Sequence, residues 1–130
     1  MLKRINPQDR PAPAQFAQAT LVEAATTLLF TSGQVGTDKD GTLPEDIEGQ
    51  TANAWESVMR CLEAAGTSSE HLVQVTAYLT RSEDIAAYRK VRSEFIPDVT
   101  APSTLLIVSG LADPRFLVEV EVTAAVPQHG

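Results

Sequence analysis

The segment Ser32-Gly33-Gln34-Val35-Gly36 ends an apolar run, Leu28-Leu29-Phe30-Thr31, and is the stretch best equipped to hold a small polar ligand. Gly33 lets the backbone turn, or approach a ligand where a side chain would clash. Gln34 carries both a donor and an acceptor and closes the strand beside exposed backbone amides. Strand-end glycines also make ordinary turns, so residue types alone leave both readings open. Other reactive residues form no constellation. Cys61 falls on the inner face of a helix and reads as a small core residue. With one Cys and two scattered His, His71 and His129, there is no metal-ligand spacing. No Ser-His-Asp or Cys-His arrangement is recoverable, and the glycine segment is too short, and opens no helix, to cradle a phosphate.

The elements that must position these residues alternate in type. Lys3 to Ile5 is a short strand, followed by a loop enforced by Pro7, Pro11 and Pro13. Ala19 to Glu23 and Thr27 to Thr31 are strands close enough for a hairpin, although Ala24-Ala25-Thr26 lacks a strong turn signal. Asp38-Lys39-Asp40-Gly41 is a clearer turn. Thr42-Leu43-Pro44-Glu45 has the form of a capping box. Behind it Ile47, Thr51, Ala54, Trp55, Val58, Cys61, Leu62 and Ala65 recur at helical spacing until Gly66, about five turns on. Gln50 reads as an ordinary exposed residue there.

Leu72 to Leu79 is a strand with Val73, Val75, Ala77 and Leu79 on one face and Gln74, Thr76 and Tyr78 on the other. A second helix starts near Thr80 or Ser82, carries Ile85, Tyr88, Val91 and Phe95 along one side, and stops at Pro97. Ser103 to Ser109 and Phe116 to Thr123 are the last strands, and Pro127 to Gly130 is a loose tail. This order predicts an α+β domain, a single mixed β-sheet with two helices packed on one face.

Composition agrees with one domain over residues 1–130: the length is ordinary for one, and 43% hydrophobic residues suffice for a core. The net charge of −7 argues against a nucleic-acid partner, since phosphate binding needs clustered Lys and Arg. No run approaches the ~20 apolar residues of a membrane span. Met1 to Pro7 has no apolar stretch suited to a signal peptide. The single cysteine excludes an internal disulfide. A soluble, cytoplasmic protein is expected.

The second face of the sheet carries the functional question. If Val118, Val120 and Val122 face the helices, Glu119 and Glu121 point the other way. Yet Ser103 to Ser109 is apolar on both faces, which a sheet with one wet face rarely shows. A subunit interface is the simplest cover for that face. Its carboxylates then either sit on wet surface, balancing an arginine, or line a cleft.

The Ser-Gly-Gln segment resembles the signature of the RidA/YjgF family of small trimeric imine deaminases. Three further stretches resemble that family in order: Gln50-Thr51 opening a helix that ends Leu62-Glu63-Ala64-Ala65-Gly66, the strand Leu72 to Leu79, and Val118-Glu119-Val120-Glu121-Val122. The resemblance covers nearly the whole chain. It implies a chorismate mutase-like, YjgF-like fold, a homotrimer with a ligand cleft at each subunit junction, and chemistry without a cofactor. It implies that Gly33 and Gln34 bind ligand. Glu119 would activate or orient the water that attacks an imine carbon, a task needing little more than a carboxylate and a clamp for the substrate. A ribonuclease label attached to some family members gains no support from the charge balance.

The clamp is where the sequence departs from the family. The Pro-Ala-Arg that enters the penultimate strand, and whose Arg grips a substrate carboxylate, corresponds to Ala101-Pro102-Ser103. Serine at 103 removes a charged bidentate pair, a loss of roughly 2–5 kcal/mol of binding. Arg89, one turn along the second helix, and Arg115, just before the strand bearing Glu119, could restore the charge. Phe16-Ala17-Gln18 resembles a family Tyr-x-Gln with Phe in place of Tyr. The expectation is a hydrolase or deaminase for a small imine or carbonyl compound other than a simple 2-imino acid. The alternatives are a non-catalytic small-molecule binding or sensing protein and a protein-protecting oligomer on the same scaffold.

Overall fold

The computed structural model describes residues 2–8, 16–17, 19–24 and 27–128. The loop expected around Pro11 and Pro13, Gln18, the Ala25-Thr26 connection and the tail end with His129 lie outside the described residues. Strands β1 (Leu2–Ile5) and β2 (Ala19–Val22) pair antiparallel as a two-stranded ribbon. The expected hairpin of β2 with β3 (Thr27–Phe30) does not form. Ala24 takes a φ of 66°, left-handed backbone that strains an alanine, and the chain leaves the ribbon there. A two-residue strand, β4 (Gln34–Val35), follows.

Helix α1 (Ile47–Ala64) is capped by Asp46, whose carboxylate accepts from the Gly49 N–H at 3.0 Å. The expected capping box at Thr42 is not used: the Asp38 N–H donates to the Thr42 carbonyl and the Thr42 N–H donates to the Asp38 carboxylate, which closes the preceding turn. An Asp directly before the first helical residue is simply the better placed acceptor. Gly66, at φ 79°, stops the helix as expected.

β5 (Leu72–Leu79), α2 (Ile85–Phe95), β6 (Ser103–Ile107) and β7 (Val118–Val126) complete the chain. The five-stranded sheet runs β3-β7-β5-β6, with β4 also on β7. β5 and β6 are parallel, which requires the crossover that α2 supplies; the other pairs are antiparallel, so the sheet is mixed.

Both helices cover one face. Trp55, Val58 and Leu62 of α1 and Tyr88 of α2 pack with Val75, Ala77 and Leu79 of β5 and Val118, Val120 and Val122 of β7. A bulge between Leu72 and Gln74 brings Leu72 into this core and leaves Val73 only half-buried, so the expected alternation slips at the start of β5. Cys61 is half-buried.

Gln50 reverses its expectation. It is 1% exposed and donates to the Pro44 and Arg115 carbonyls at 2.9 and 3.0 Å, while its own carbonyl accepts from the Leu117 N–H at 2.8 Å. One amide therefore ties the loop before α1 to the loop that feeds β7. Gly36 lets the backbone pass close above it, since a Cβ there would meet the Gln50 Cα at 2.6 Å.

Candidate functional site

β7 alternates Val118, Val120 and Val122 inward with Glu119 and Glu121 on the face away from the helices. Tyr78 lies opposite Glu119 and Thr76 opposite Glu121. The Tyr78 hydroxyl donates to Glu121, and that bond, ahead of burial and the two carboxylate charges, raises the phenol's pKa. Glu119 is half-buried, and its carboxylate makes no hydrogen bond or ion pair with any described residue. It lies directly against Gly33, where an added Cβ would fall 1.8 Å from its Oε2 and 2.5 Å from its Cδ. The missing side chain at 33 is what makes room for this carboxylate.

Gln34 is placed differently. Register sets it opposite Val120 and sets Val35 opposite Glu119, and its Nε2 donates to the Ser32 carbonyl at 3.1 Å. Its amide braces the Ser-Gly-Gln turn. Tyr78, Thr76 and Thr104 flank the carboxylates, and exposed apolar residues, Leu28 and Phe30 of β3 and Leu106 of β6, share the face by register, Phe30 being 71% exposed.

On the helix side a groove of about 730 Å³ runs between α2 and the β6 edge, a size suited to a small ligand. Phe16, Leu105 and Ile107 supply apolar wall, and Tyr88, Arg92 and Ser103 supply polar groups. Arg92 is 6% exposed, and its Nη2 donates to the Ser103 Oγ at 3.0 Å. Ser103 Oγ in turn donates to the Ala101 carbonyl at 3.1 Å, so its one proton is engaged. Burial lowers the Arg92 pKa below its ordinary value, Tyr88 opposes that shift and Arg89 adds to it. A guanidinium stays charged regardless. The last turn of α2, with its negative dipole end, favours that charge.

The remaining residues expected at the site divide. Arg89 lines the groove and is exposed. Arg115 does not reach the groove: its side chain is 73% exposed and forks onto Asp113 through Nε at 3.1 Å and Nη2 at 2.9 Å. The β7 register therefore separates the expected set. Gly33 and Glu119 meet on the acidic face, whereas Phe16, Arg89 and Ser103 gather in the groove on the other side of the sheet. Arg92 escaped the sequence reading, which stopped at Arg89. Its signal was present: Ile85, Tyr88, Arg92 and Phe95 share one helical stripe, so 92 is a charge on the apolar face. Among the described residues no three His, Cys, Asp or Glu side chains converge where they could hold a metal ion. No described helix is long and apolar enough to cross a membrane.

Comparison with known proteins agrees with this architecture. The family profile described as Endoribonuclease L-PSP matches residues 7–126. The mitochondrial protein mmf2 of Schizosaccharomyces pombe is 34% identical over 101 residues, 75% of this chain and 79% of mmf2. Among solved structures, the Rid-family protein YyfB of Yersinia pestis superposes with a TM-score of 0.83 at 25% identity, covering 96% of this chain and 98% of that one. E. coli TdcF, solved with bound serine, gives a TM-score of 0.73 at 26% identity over 96% and 99% of the two chains. The chain belongs to the Endoribonuclease L-PSP family, which is the RidA/YjgF family that its Ser-Gly-Gln segment resembles.

Proposed function

We propose that the protein is a cofactor-free hydrolase of a small imine or carbonyl compound, working in a cleft where subunits of a homotrimer meet. The observation that carries this reading is Glu119: half-buried, without a partner among the described residues, and seated on Gly33 in a face where Phe30, Leu28 and Leu106 stand exposed. Large apolar side chains around a free carboxylate are what an interface with a second copy would cover. In one protomer Glu119 and the Arg92 groove face opposite sides of the sheet. One ligand can touch both only if one copy offers its groove to the acidic face of its neighbour.

The chemistry is modest. Water adds to the carbon of a protonated C=N bond while Glu119 takes the water proton. The nitrogen, protonated in turn, leaves as ammonia, and the carbonyl remains. A positioned carboxylate base supplies roughly 10²–10⁴-fold for such a step. The serine bound in E. coli TdcF is itself a small amine and carboxylate, which supports a ligand of that size here. Position 103 itself offers no cation, so a 2-imino acid fits only if another group in the cleft meets its carboxylate.

A non-catalytic binding role is the second reading, and the engaged Ser103 hydroxyl favours it. The net charge of −7 favours neither RNA binding nor cleavage. Ammonia release from imines generated in situ by an amino-acid oxidase separates the readings. Turnover that disappears in Glu119→Gln is expected; turnover that survives that change rejects Glu119 as the base.

A further inference from the structure

Within the ligand cleft proposed above, on which this step rests, we propose that Arg92, oriented by Ser103, is the carboxylate-binding group, and that the ligand is a small monocarboxylate with a compact apolar arm. Arg92 is 94% buried by its 6% exposure, yet no carboxylate pairs with it among the described residues. A buried cation is normally compensated by an anion, because desolvation without one is expensive. Among the described residues only one of its five N–H groups is engaged, by Ser103, which leaves the planar fork able to meet two oxygens of one anion.

The groove supplies the rest. Tyr88 lines it, with its buried hydroxyl beside the Trp55 indole N–H. Arg89 lines the same groove and adds positive potential. Phe16, Leu105 and Ile107 offer apolar wall for the arm. A carboxylate suits a single buried fork better than phosphate, whose third oxygen and second charge would find no further buried cation. The cation has thus moved from the strand to the helix. Ser103 serves as its support, accepting from Nη2 while anchored to the Ala101 carbonyl.

Isovalerate, which has a carboxylate and no C=N bond, tests binding apart from turnover. Titration of the native protein, followed by calorimetry and, in the native protein, at the Arg92 side-chain Nε–H resonance, is expected to show saturable binding. Arg92→Met should weaken it at least about thirty-fold. Arg92→Lys should restore part of the affinity, since charge returns without the fork. Ser103→Ala should weaken it about five-fold by releasing the fork. Unchanged affinity in a folded Arg92→Met protein, or no binding at millimolar isovalerate, overturns the assignment. Should Arg92→Met fail to fold, the native protein decides: isovaleramide or inorganic phosphate binding as tightly as isovalerate refutes a carboxylate site. Arg92-dependent binding together with turnover indifferent to Glu119→Gln would remove the hydrolase and leave the carboxylate site standing.

Discussion

Gly33→Ala separates the position of the Glu119 carboxylate from its mere presence. A Cβ at 33 would sit 1.8 Å from Oε2, whereas ordinary contact begins near 3.4 Å, so the carboxylate must retreat by roughly 1.6 Å. The atoms it meets are the far end of a flexible side chain, so Glu119 can swing aside without moving the strand. Gly33 is not in left-handed backbone, and alanine there also restricts the unfolded chain, a gain of about 0.4–1 kcal/mol. Stability should therefore change by no more than about 1 kcal/mol, a shift in Tm within about 5 °C. Catalysis should suffer far more, because misplacing a reacting group by about 1 Å costs on the order of 10²-fold, close to 3 kcal/mol in barrier height. The assay is ammonia release beside a thermal melt, with the double variant Gly33→Ala/Glu119→Gln as control. If Gly33 acts through Glu119, the double variant is no slower than Glu119→Gln alone. Full activity in a folded Gly33→Ala protein, or strictly additive losses, would refute the reasoning.

Other outcomes follow from particular contacts. Gln50→Leu leaves the Pro44 and Arg115 carbonyls and the Leu117 N–H without their buried partner, and should destabilise by roughly 2–5 kcal/mol in chemical denaturation. Phe30→Glu places a like charge on the face of Glu119 and Glu121 at a 71% exposed position, so sedimentation should show a smaller assembly while circular dichroism stays unchanged. Asp113 is held down at about 2, chiefly by the Arg115 side chain. That depressed value favours folding above the ordinary carboxylate pKa, and the benefit fades as pH falls through about 2. Arg115→Ala should return Asp113 toward 3.8 in an NMR titration and leave turnover unchanged.

The fold was legible where periodicity is strong. The valine-glutamate alternation of β7 and the apolar stripe of α1 each have one periodic solution, and both stand as expected. Local end signals misled where two residues competed. Thr42 and Asp46 are both good caps, and only the turn at Asp38, which engages Thr42, decides between them. The β2–β3 hairpin failed for a non-local reason: β3 finds its partner in β7, nearly a hundred residues away.

At the site, Glu119 and Gly33 could be named singly from sequence, but not their contact, because that depends on β4 and β7 meeting in register. Gln50 and Arg92 were passed over for a common reason. A polar residue at a helical core position looks like an exposed one until its partners, three backbone groups for Gln50 and Ser103 for Arg92, come in from distant segments.

Subunit complementation tests the central claim most directly. Glu119→Gln and Arg92→Met proteins are each expected to be inactive, since every junction lacks one of the two groups. Unfolded together and reassembled in equal amounts, they should regain about a quarter of native turnover, because a quarter of the junctions then join an intact Glu119 face to an intact Arg92 groove. A mixed assembly that stays inactive would contradict a site shared between copies.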